Sequence, residues 1–261
     1  MTQVPAYVPG HQLLSGKSVL ITAAAGAGIG FAAARRCIEE GCRALMISDI
    51  HPRRLEEAVE RLKAETGLER VYGQLCNVTV EAEVQALVAA AEESLEGVDV
   101  LINNAGLGGQ RRLVEMSDEE WQSVLDVTLT GTFRMTRAML PTMQVRGRGV
   151  IVNNASVLGW RAQKEQAHYA AAKAGVMALT RCSALEAAEH GVRINAVSPS
   201  IALHEHLKKS ASPDLLESLA SREAFGRAAE VWEVANVMIF LASDYASYMA
   251  GEVVSVSSQR A

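Results

Sequence analysis

Short apolar, β-branched runs alternate with longer stretches of helical periodicity along almost the whole chain. The runs are Ser18–Thr22, Ala44–Ser48, Arg70–Leu75, Val98–Ile102, Val150–Asn154, Arg193–Val197 and Glu252–Val256. Between them lie Ile29–Glu40, Pro52–Thr66, Glu81–Leu95, Asp118–Gln144, Ala167–His190 and Glu230–Ser243. Such alternation predicts strand–helix–strand units with right-handed crossovers, and so a mostly parallel sheet covered on both faces. Gly67, Gly97, Gly191 and Gly251 fall just past helical stretches, where a closing glycine is favoured. No repeat or linker interrupts the pattern, so residues 1–261 are expected to form one α/β domain with a doubly wound, seven-stranded sheet. The pattern loosens only at residues 198–230. An insertion at the C-terminal edge of a parallel sheet is where a substrate lid would sit, and a plain surface excursion is the alternative.

Composition narrows the function. Of the 261 residues 49% are apolar and only 5% aromatic, enough for a large aliphatic core. The net charge is −5 with no Lys/Arg block, which argues against nucleic acid as a partner. No apolar stretch approaches the roughly 20 residues of a membrane span, and Met1–Gly16 lacks the build of a signal peptide. Four cysteines show neither CxxC spacing nor a disulfide framework, so a soluble protein of the reducing cytoplasm is expected, with Cys37, Cys76 and Cys182 as small core residues. His204 and His206 stand two apart with no carboxylate cluster, so no metal site is expected.

The first strand runs into Ala23-Ala24-Ala25-Gly26-Ala27-Gly28-Ile29-Gly30 and then a helix. Glycines there let the backbone approach a diphosphate, and the helix start offers free N–H groups. The second strand ends at Asp49, nineteen residues after Gly30. A carboxylate at that place accepts both ribose hydroxyls and repels a 2′-phosphate, so NAD is expected rather than NADP. Arg53 and Arg54 are placed on the exposed start of the next helix; the alternative reading of Asp49 is a helix cap.

Among five tyrosines, only Tyr169 has a lysine four residues on, Lys173, which puts both on one helical face. Ser156 follows the fifth strand, thirteen residues before Tyr169, at the edge where the glycine loop opens. Moving a hydride off an alcohol carbon requires its hydroxyl proton to leave too. A free phenol, with a pKa of about 10, is a poor base, and a nearby ammonium and the cationic oxidised nicotinamide should both lower it. Ser156 can steady the same substrate oxygen. The set fits interconversion of a secondary alcohol and a ketone. His168 points about 100° away from Tyr169 and is expected in the pocket wall or at the surface.

With Asn103-Asn104-Ala105-Gly106 after the fourth strand and Arg193-Ile194-Asn195-Ala196-Val197 before Pro199, the chain resembles the short-chain dehydrogenase/reductase family from about Leu14 to Val256. The resemblance implies a Rossmann fold and cofactor contacts at Gly26, Gly28, Ile29, Gly30, Asp49, Asn104, Ala105, Gly106, Tyr169, Lys173, Pro199 and Ile201, with Ile201 near the carboxamide. Asn77-Val78 matches the pair beside adenine, with Asn where the family usually has Asp; its amide oxygen could still accept from the adenine amino group. Thr22 lies one residue farther from Gly28 than usual, and Ala24 replaces a common glycine. Thr128 stands where many relatives carry a proton-relay asparagine, of which the main-chain carbonyl is the useful part. Ser200 replaces a glycine, and Val256-Ser257-Ser258-Gln259 departs from the family's C-terminal pattern. Asp118–Gln144 and Ala167–His190, the latter with Ala170, Ala171, Ala172, Ala174 and Ala178, resemble the helices that pair between subunits, which implies a homotetramer.

The segments Asn104–Gln110, Asn154–Gln163 and Ala196–Ala202 are similar to bacterial reductases acting on two-ring (hydrindane) coenzyme A thioesters of steroid breakdown. Such a small-molecule substrate needs an apolar pocket, for which Val157, Leu158 and Trp160 are candidates. It also needs cations for the coenzyme A phosphates, for which Arg111, Arg112, Arg161, Lys208 and Lys209 are candidates. The alternatives are a 3-oxoacyl-thioester reductase of lipid metabolism and a non-catalytic dinucleotide-binding protein.

Overall fold

The computed structural model describes residues 3–203 and 213–258. In chain order the first elements are β1 (Ser18–Ile21), α1 (Ile29–Glu39), β2 (Ala44–Asp49), α2 (Pro52–Thr66), β3 (Val71–Leu75), α3 (Glu81–Ser94), β4 (Val100–Asn103), α4 (Asp118–Leu125) and α5 (Gly131–Arg146). They are followed by β5 (Gly149–Asn154), α6 (Ala167–Ala188), β6 (Val192–Pro199), β7 (Ala202–Leu203), α7 (Pro213–Arg222), β8 (Ala229–Glu230), α8 (Val231–Ala242) and β9 (Val253–Val256). Seven strands form one sheet in the order β3-β2-β1-β4-β5-β6-β9, every neighbouring pair parallel. The order reverses between β1 and β4, and the strand ends on either side of that point leave a crevice.

Alternate residues of each central strand feed opposite cores, as a pleat of period two requires. Val19, Ile21, Leu45 and Ile47 join α1, α2 and α8 on one face. Leu20, Met46, Leu101 and Ile151 join α3, α5 and the end of α6 on the other. Because both faces are covered, the strands read as continuous apolar runs. A polar line crosses the second core: Asn103 Nδ2 donates to Asn153 Oδ1 (2.9 Å) and Thr136 Oγ1 (3.1 Å), and Asn153 Nδ2 donates to Thr180 Oγ1 (2.9 Å).

Two expectations need correction. The single helix Asp118–Gln144 is broken by a π-helical turn, Asp126–Thr130, between α4 and α5. A π-turn inserts an extra residue and is held by tertiary contacts that helical periodicity does not reveal. The insertion between the sixth and last strands begins later than residue 198, since β6 runs on to Pro199. It contains the parallel pair β7–β8 and α7; residues 204–212 lie outside the described residues. Among the described residues no helix is long and apolar enough to cross a membrane.

Ahead of β1 a strap docks across the end of α1. Arg36 and Glu40 form a buried ion pair (2.6 Å). Glu40 Oε2 accepts from the main-chain N–H of His11 (2.7 Å) and Leu13 (3.1 Å), while Arg36 donates to the carbonyls of Val8 and Pro9. Tyr7 meets Trp232 of α8 edge-on at 5.3 Å. Glu40→Ala should strip the buried guanidinium of its nearer carboxylate, leaving only Glu39 at 3.7 Å, and cost about 3 kcal/mol, the low end for a broken buried pair. Urea denaturation with an unchanged m-value reads this directly; a loss below about 1 kcal/mol would show that Glu40 does not anchor the strap.

Candidate active site

The end of β1 opens into the glycine loop at the point where the strand order reverses. Ala23, the first residue of the loop after Thr22, has a φ of 51°, left-handed and strained for a residue with a Cβ. Around it the loop is tied down: Thr22 Oγ1 accepts from the N–H of Asn104 (3.0 Å) and Ala105 (3.0 Å), and Ala24 N–H donates to Ser48 O (3.0 Å). Asn104 Nδ2 donates to the carbonyls of Thr22 (3.2 Å) and Ala23 (2.9 Å). Gly30 must lack a side chain because a Cβ there would stand 2.4 Å from Asn104 Nδ2 and 2.6 Å from Ala23 O. The start of α1, capped by Gly28, has neither a side-chain cap nor an acidic residue in its first turn. Its N–H groups and partial positive charge suit a diphosphate.

Asp49 faces this loop from the end of β2. Its Oδ2 accepts from Ala25 N–H (3.3 Å) and its Oδ1 from His51 N–H (3.1 Å) at the start of α2. The carboxylate therefore serves the loop and the helix start together. Arg53 and Arg54 both lie exposed on the start of α2 as expected; Arg53 pairs with Glu57 (2.7 Å), and Arg54 leans back toward Asp49, 4.0 Å away. Asn77 is a correction. Its Oδ1 already accepts from Thr79 N–H (3.1 Å) and Thr79 Oγ1 (2.8 Å), so the oxygen is saturated and Nδ2 is what it presents. Val78 is buried against Gly131, where an added Cβ would come within 2.6 Å of its methyl.

The structure brings Ser156, Tyr169 and Lys173 together. Ser156 caps a short turn, Val157–Gly159, its Oγ accepting from Leu158 N–H (3.2 Å). The Lys173 ammonium donates to Asn154 O and lies 5.5 Å from the centre of the Tyr169 ring. Burial pushes the Tyr169 phenol up to about 12, with a hydrogen bond from Ser156 acting the other way. Burial also pushes Lys173 down to about 8. Without the cofactor's charge burial governs the phenol, and the lowering expected from Lys173 does not appear. Thr128 sits in the π-turn: Oγ1 accepts from Leu107 N–H (3.0 Å) and donates to Leu107 O (3.1 Å), and its own carbonyl accepts from Thr132 Oγ1 (2.8 Å). A Cβ on Gly106 would lie 3.5 Å from Lys173 Nζ and 3.8 Å from Thr128 Oγ1, so the two residues flank one narrow space.

Pro199 closes β6 beside Val256, and Ile201 O accepts from Ala229 N–H (2.9 Å). His168 is buried, with Nε2 3.3 Å from where a Gly109 Cβ would be, which rules out the surface alternative. Val157 is buried and Trp160 half-exposed. Of the five cations, Arg111 pairs with Glu120 (2.6 Å) and Arg112 with Glu115 (3.4 Å). Arg161 is exposed and has no acidic partner among the described residues; Lys208 and Lys209, like His204 and His206, lie outside them. Cys37, Cys42 and Cys76 are buried thiols pushed up by burial, whereas Cys182 is exposed on α6 rather than in the core. Asn154 was not singled out from the sequence. Its signal was a polar residue closing an apolar strand two places before Ser156.

The family described as enoyl-(acyl carrier protein) reductase matches residues 23–258. The chain is 60% identical over 260 residues to a Mycobacterium tuberculosis protein, covering 99% of this chain and 98% of that one. The relative is named (5R,7aS)-5-hydroxy-7a-methyl-1-oxo-2,3,5,6,7,7a-hexahydro-1H-indene-carboxyl-CoA reductase. A 3-oxoacyl-(acyl-carrier-protein) reductase of Thermotoga maritima is 35% identical over 93% of this chain and 97% of its own. A crystal structure of a short chain dehydrogenase from Mycobacterium smegmatis superposes with a TM-score of 0.88 at 58% identity, covering 99% of both chains.

The shift at Lys173 has a thermodynamic signature. Above about pH 8 the folded protein holds this amine neutral, while the unfolded chain keeps it protonated up to 10.5. The unfolded state then binds more protons, so this group's contribution to stability rises with pH through that window. The urea midpoint of the parent should therefore gain on that of Lys173→Met between pH 7.5 and 9. Parallel pH curves for the two would show that Lys173 is not the buried group responsible.

Proposed function

The chain belongs to the short-chain dehydrogenase/reductase family and is an oxidoreductase of hydroxyl and keto groups, and on that premise we propose that it exchanges a hydride between NAD(H) and a ring-bearing coenzyme A thioester of steroid catabolism. The observation that carries the chemistry is the placing of Ser156, Tyr169 and Lys173 around one point at the sheet edge. Members of the family use nicotinamide dinucleotides. The N–H groups from Gly26 to Gly30 would hold the diphosphate and Asp49 the adenosine ribose. Asn77 and Val78 would flank adenine, and Asn104, Ala105 and Gly106 would line the cleft. Lys173 and Tyr169 would hold the nicotinamide ribose, and Pro199 and Ile201 the carboxamide. When bound, the cofactor supplies or accepts the hydride and, oxidised, brings the positive charge that the buried phenol lacks.

In reduction, Tyr169 Oη gives its proton to the substrate oxygen while Ser156 Oγ donates a hydrogen bond to the charge developing there. Lys173 re-supplies the phenol, and the Thr128 carbonyl continues the relay. The ring-bearing thioester rests on the 60% identity to the M. tuberculosis reductase across both chains. With Arg111 and Arg112 paired to acids, Arg161 is the described candidate cation left for coenzyme A phosphates, and the insertion that follows Pro199 would cover the bound substrate. The likeness to 3-oxoacyl-(acyl-carrier-protein) reductases supports the second reading, a 3-oxoacyl-thioester substrate. Unpaired Cys37, Cys42 and Cys76 fit a cytoplasmic protein. A stripe at heptad spacing on α6, Ala171, Ala178 and Leu185, stays exposed with Phe133 and Val145 of α5, a face suited to pairing in a homotetramer.

Tyr169→Phe should lower kcat at least about a thousandfold while NADH binding survives; activity within tenfold of the parent would overturn the assignment. Comparing kcat/KM for a hydrindane coenzyme A thioester, its free acid and acetoacetyl-coenzyme A tests the substrate. The thioester should win. An equally active free acid removes coenzyme A from the reading, and a faster acetoacetyl-coenzyme A selects the second one. For the cofactor, the parent should prefer NADH, and Asp49→Ser should move the preference toward NADPH, since Arg54 at 4.0 Å then loses its carboxylate. A parent that prefers NADPH would show that Arg54 governs this corner.

A further inference from the structure

Asn154 closes β5, two residues before Ser156, and does two separate things. Its main-chain carbonyl accepts from the Lys173 ammonium. Its side chain reaches across to β4, where Nδ2 donates to Asn104 Oδ1 (3.0 Å). Asn104 in turn spends its own Nδ2 on the carbonyls of Thr22 (3.2 Å) and Ala23 (2.9 Å). Ala23 is the residue held at φ 51°. One continuous line of amides therefore joins the end of the strand before the catalytic serine to the strained first residue of the glycine loop.

The other end of the Asn154 side chain makes the case sharper. Its Oδ1 is buried and has no hydrogen-bond partner. A buried orphan acceptor costs free energy, so an apolar side chain closing this strand would serve the fold better. What the amide supplies that an apolar residue cannot is the donor to Asn104. That donor fixes the orientation of the Asn104 amide, with Nδ2 toward the loop, and so keeps Ala23 left-handed and the N–H groups beyond it aimed at the cleft.

We infer that Asn154 is a positioning residue for the dinucleotide: through Asn104 it holds the glycine loop in its binding conformation, without touching the substrate or the reacting atoms. This rests on the reading of the cleft as a dinucleotide site. Asn154→Leu and Asn154→Thr both remove the donor, the second because its hydroxyl is too short to reach. In both, NADH followed by fluorescence titration should bind about tenfold more weakly. Saturating cofactor should return kcat to within about threefold of the parent, since the carbonyl that receives Lys173 is main chain. Thermal unfolding without cofactor should stay within about 2 °C or rise for Asn154→Leu, which removes the orphan.

Ala23→Gly supplies a rescue that a packing role would not give. Glycine adopts the left-handed conformation at no steric cost, so combined with Asn154→Leu it should recover at least about threefold of the lost affinity. Unchanged NADH affinity in a folded Asn154 variant overturns the inference. So does a loss of affinity that tracks a fall in melting temperature and is not relieved by Ala23→Gly. A parent that binds neither NADH nor NADPH overturns the dinucleotide reading itself and this inference with it, whereas a binding parent with indifferent variants removes only the role of Asn154.

Discussion

Where β1, β4 and β5 end side by side, the main chain runs out of sheet partners, and polar side chains take over. Thr22 accepts from two backbone N–H groups of the Asn104–Ala105 turn, and Asn104 returns two bonds to the carbonyls at Thr22 and Ala23. One layer down, Asn103 and Asn153 repeat the motif across the same strands and extend it to Thr136 and Thr180 on α5 and α6. A parallel sheet has to bring its strand ends to one edge, and here the side-chain donors of that polar edge are met while the amide oxygens of Asn103 and Asn154 are left without partners. The glycine loop, the serine and the lysine all hang from this layer of side-chain bonds.

The phenol and the amine show how burial prepares chemistry without completing it. Tyr169 is pushed up to about 12, so the phenol stays protonated and uncharged near neutral pH, while Lys173 is pushed down to about 8, so its ammonium persists there but gives up its proton more readily than a free lysine. The site therefore holds a ready proton donor beside an uncharged phenol, and the phenolate waits on a partner that brings further positive charge into the pocket.

The elements were legible from the chain because covered parallel strands and amphipathic helices leave strong periodic marks. All seven main strands fall within two residues of where the apolar runs place them. The break between α4 and α5 was not legible, because Trp121 to Phe133 keeps its helical period. The π-turn depends on Thr128 meeting Leu107 and on Val78 pressing on Gly131, contacts between segments far apart in sequence. Spacing likewise pointed to Ser156, Tyr169 and Lys173, and their convergence is tertiary fact. The direction of the phenol's pKa was missed because proximity to a lysine is visible in a sequence and depth of burial is not. Asn77 was misjudged for a related reason: Thr79, two residues on, takes both lone pairs of its amide oxygen. Arg111 and Arg112 looked like free cations until Glu120 and Glu115 were found beside them.

The strap over the end of α1 has a practical meaning for anyone handling this protein. A helix of eleven residues spans about 16 Å, and here one end is gripped by the strap while the other faces the diphosphate cleft. The strap's anchors, from Val8 to Leu13, hold the pole of the helix away from the glycine loop. Trimming back to Gly16 would release that far end of the helix on whose other tip the dinucleotide is proposed to rest.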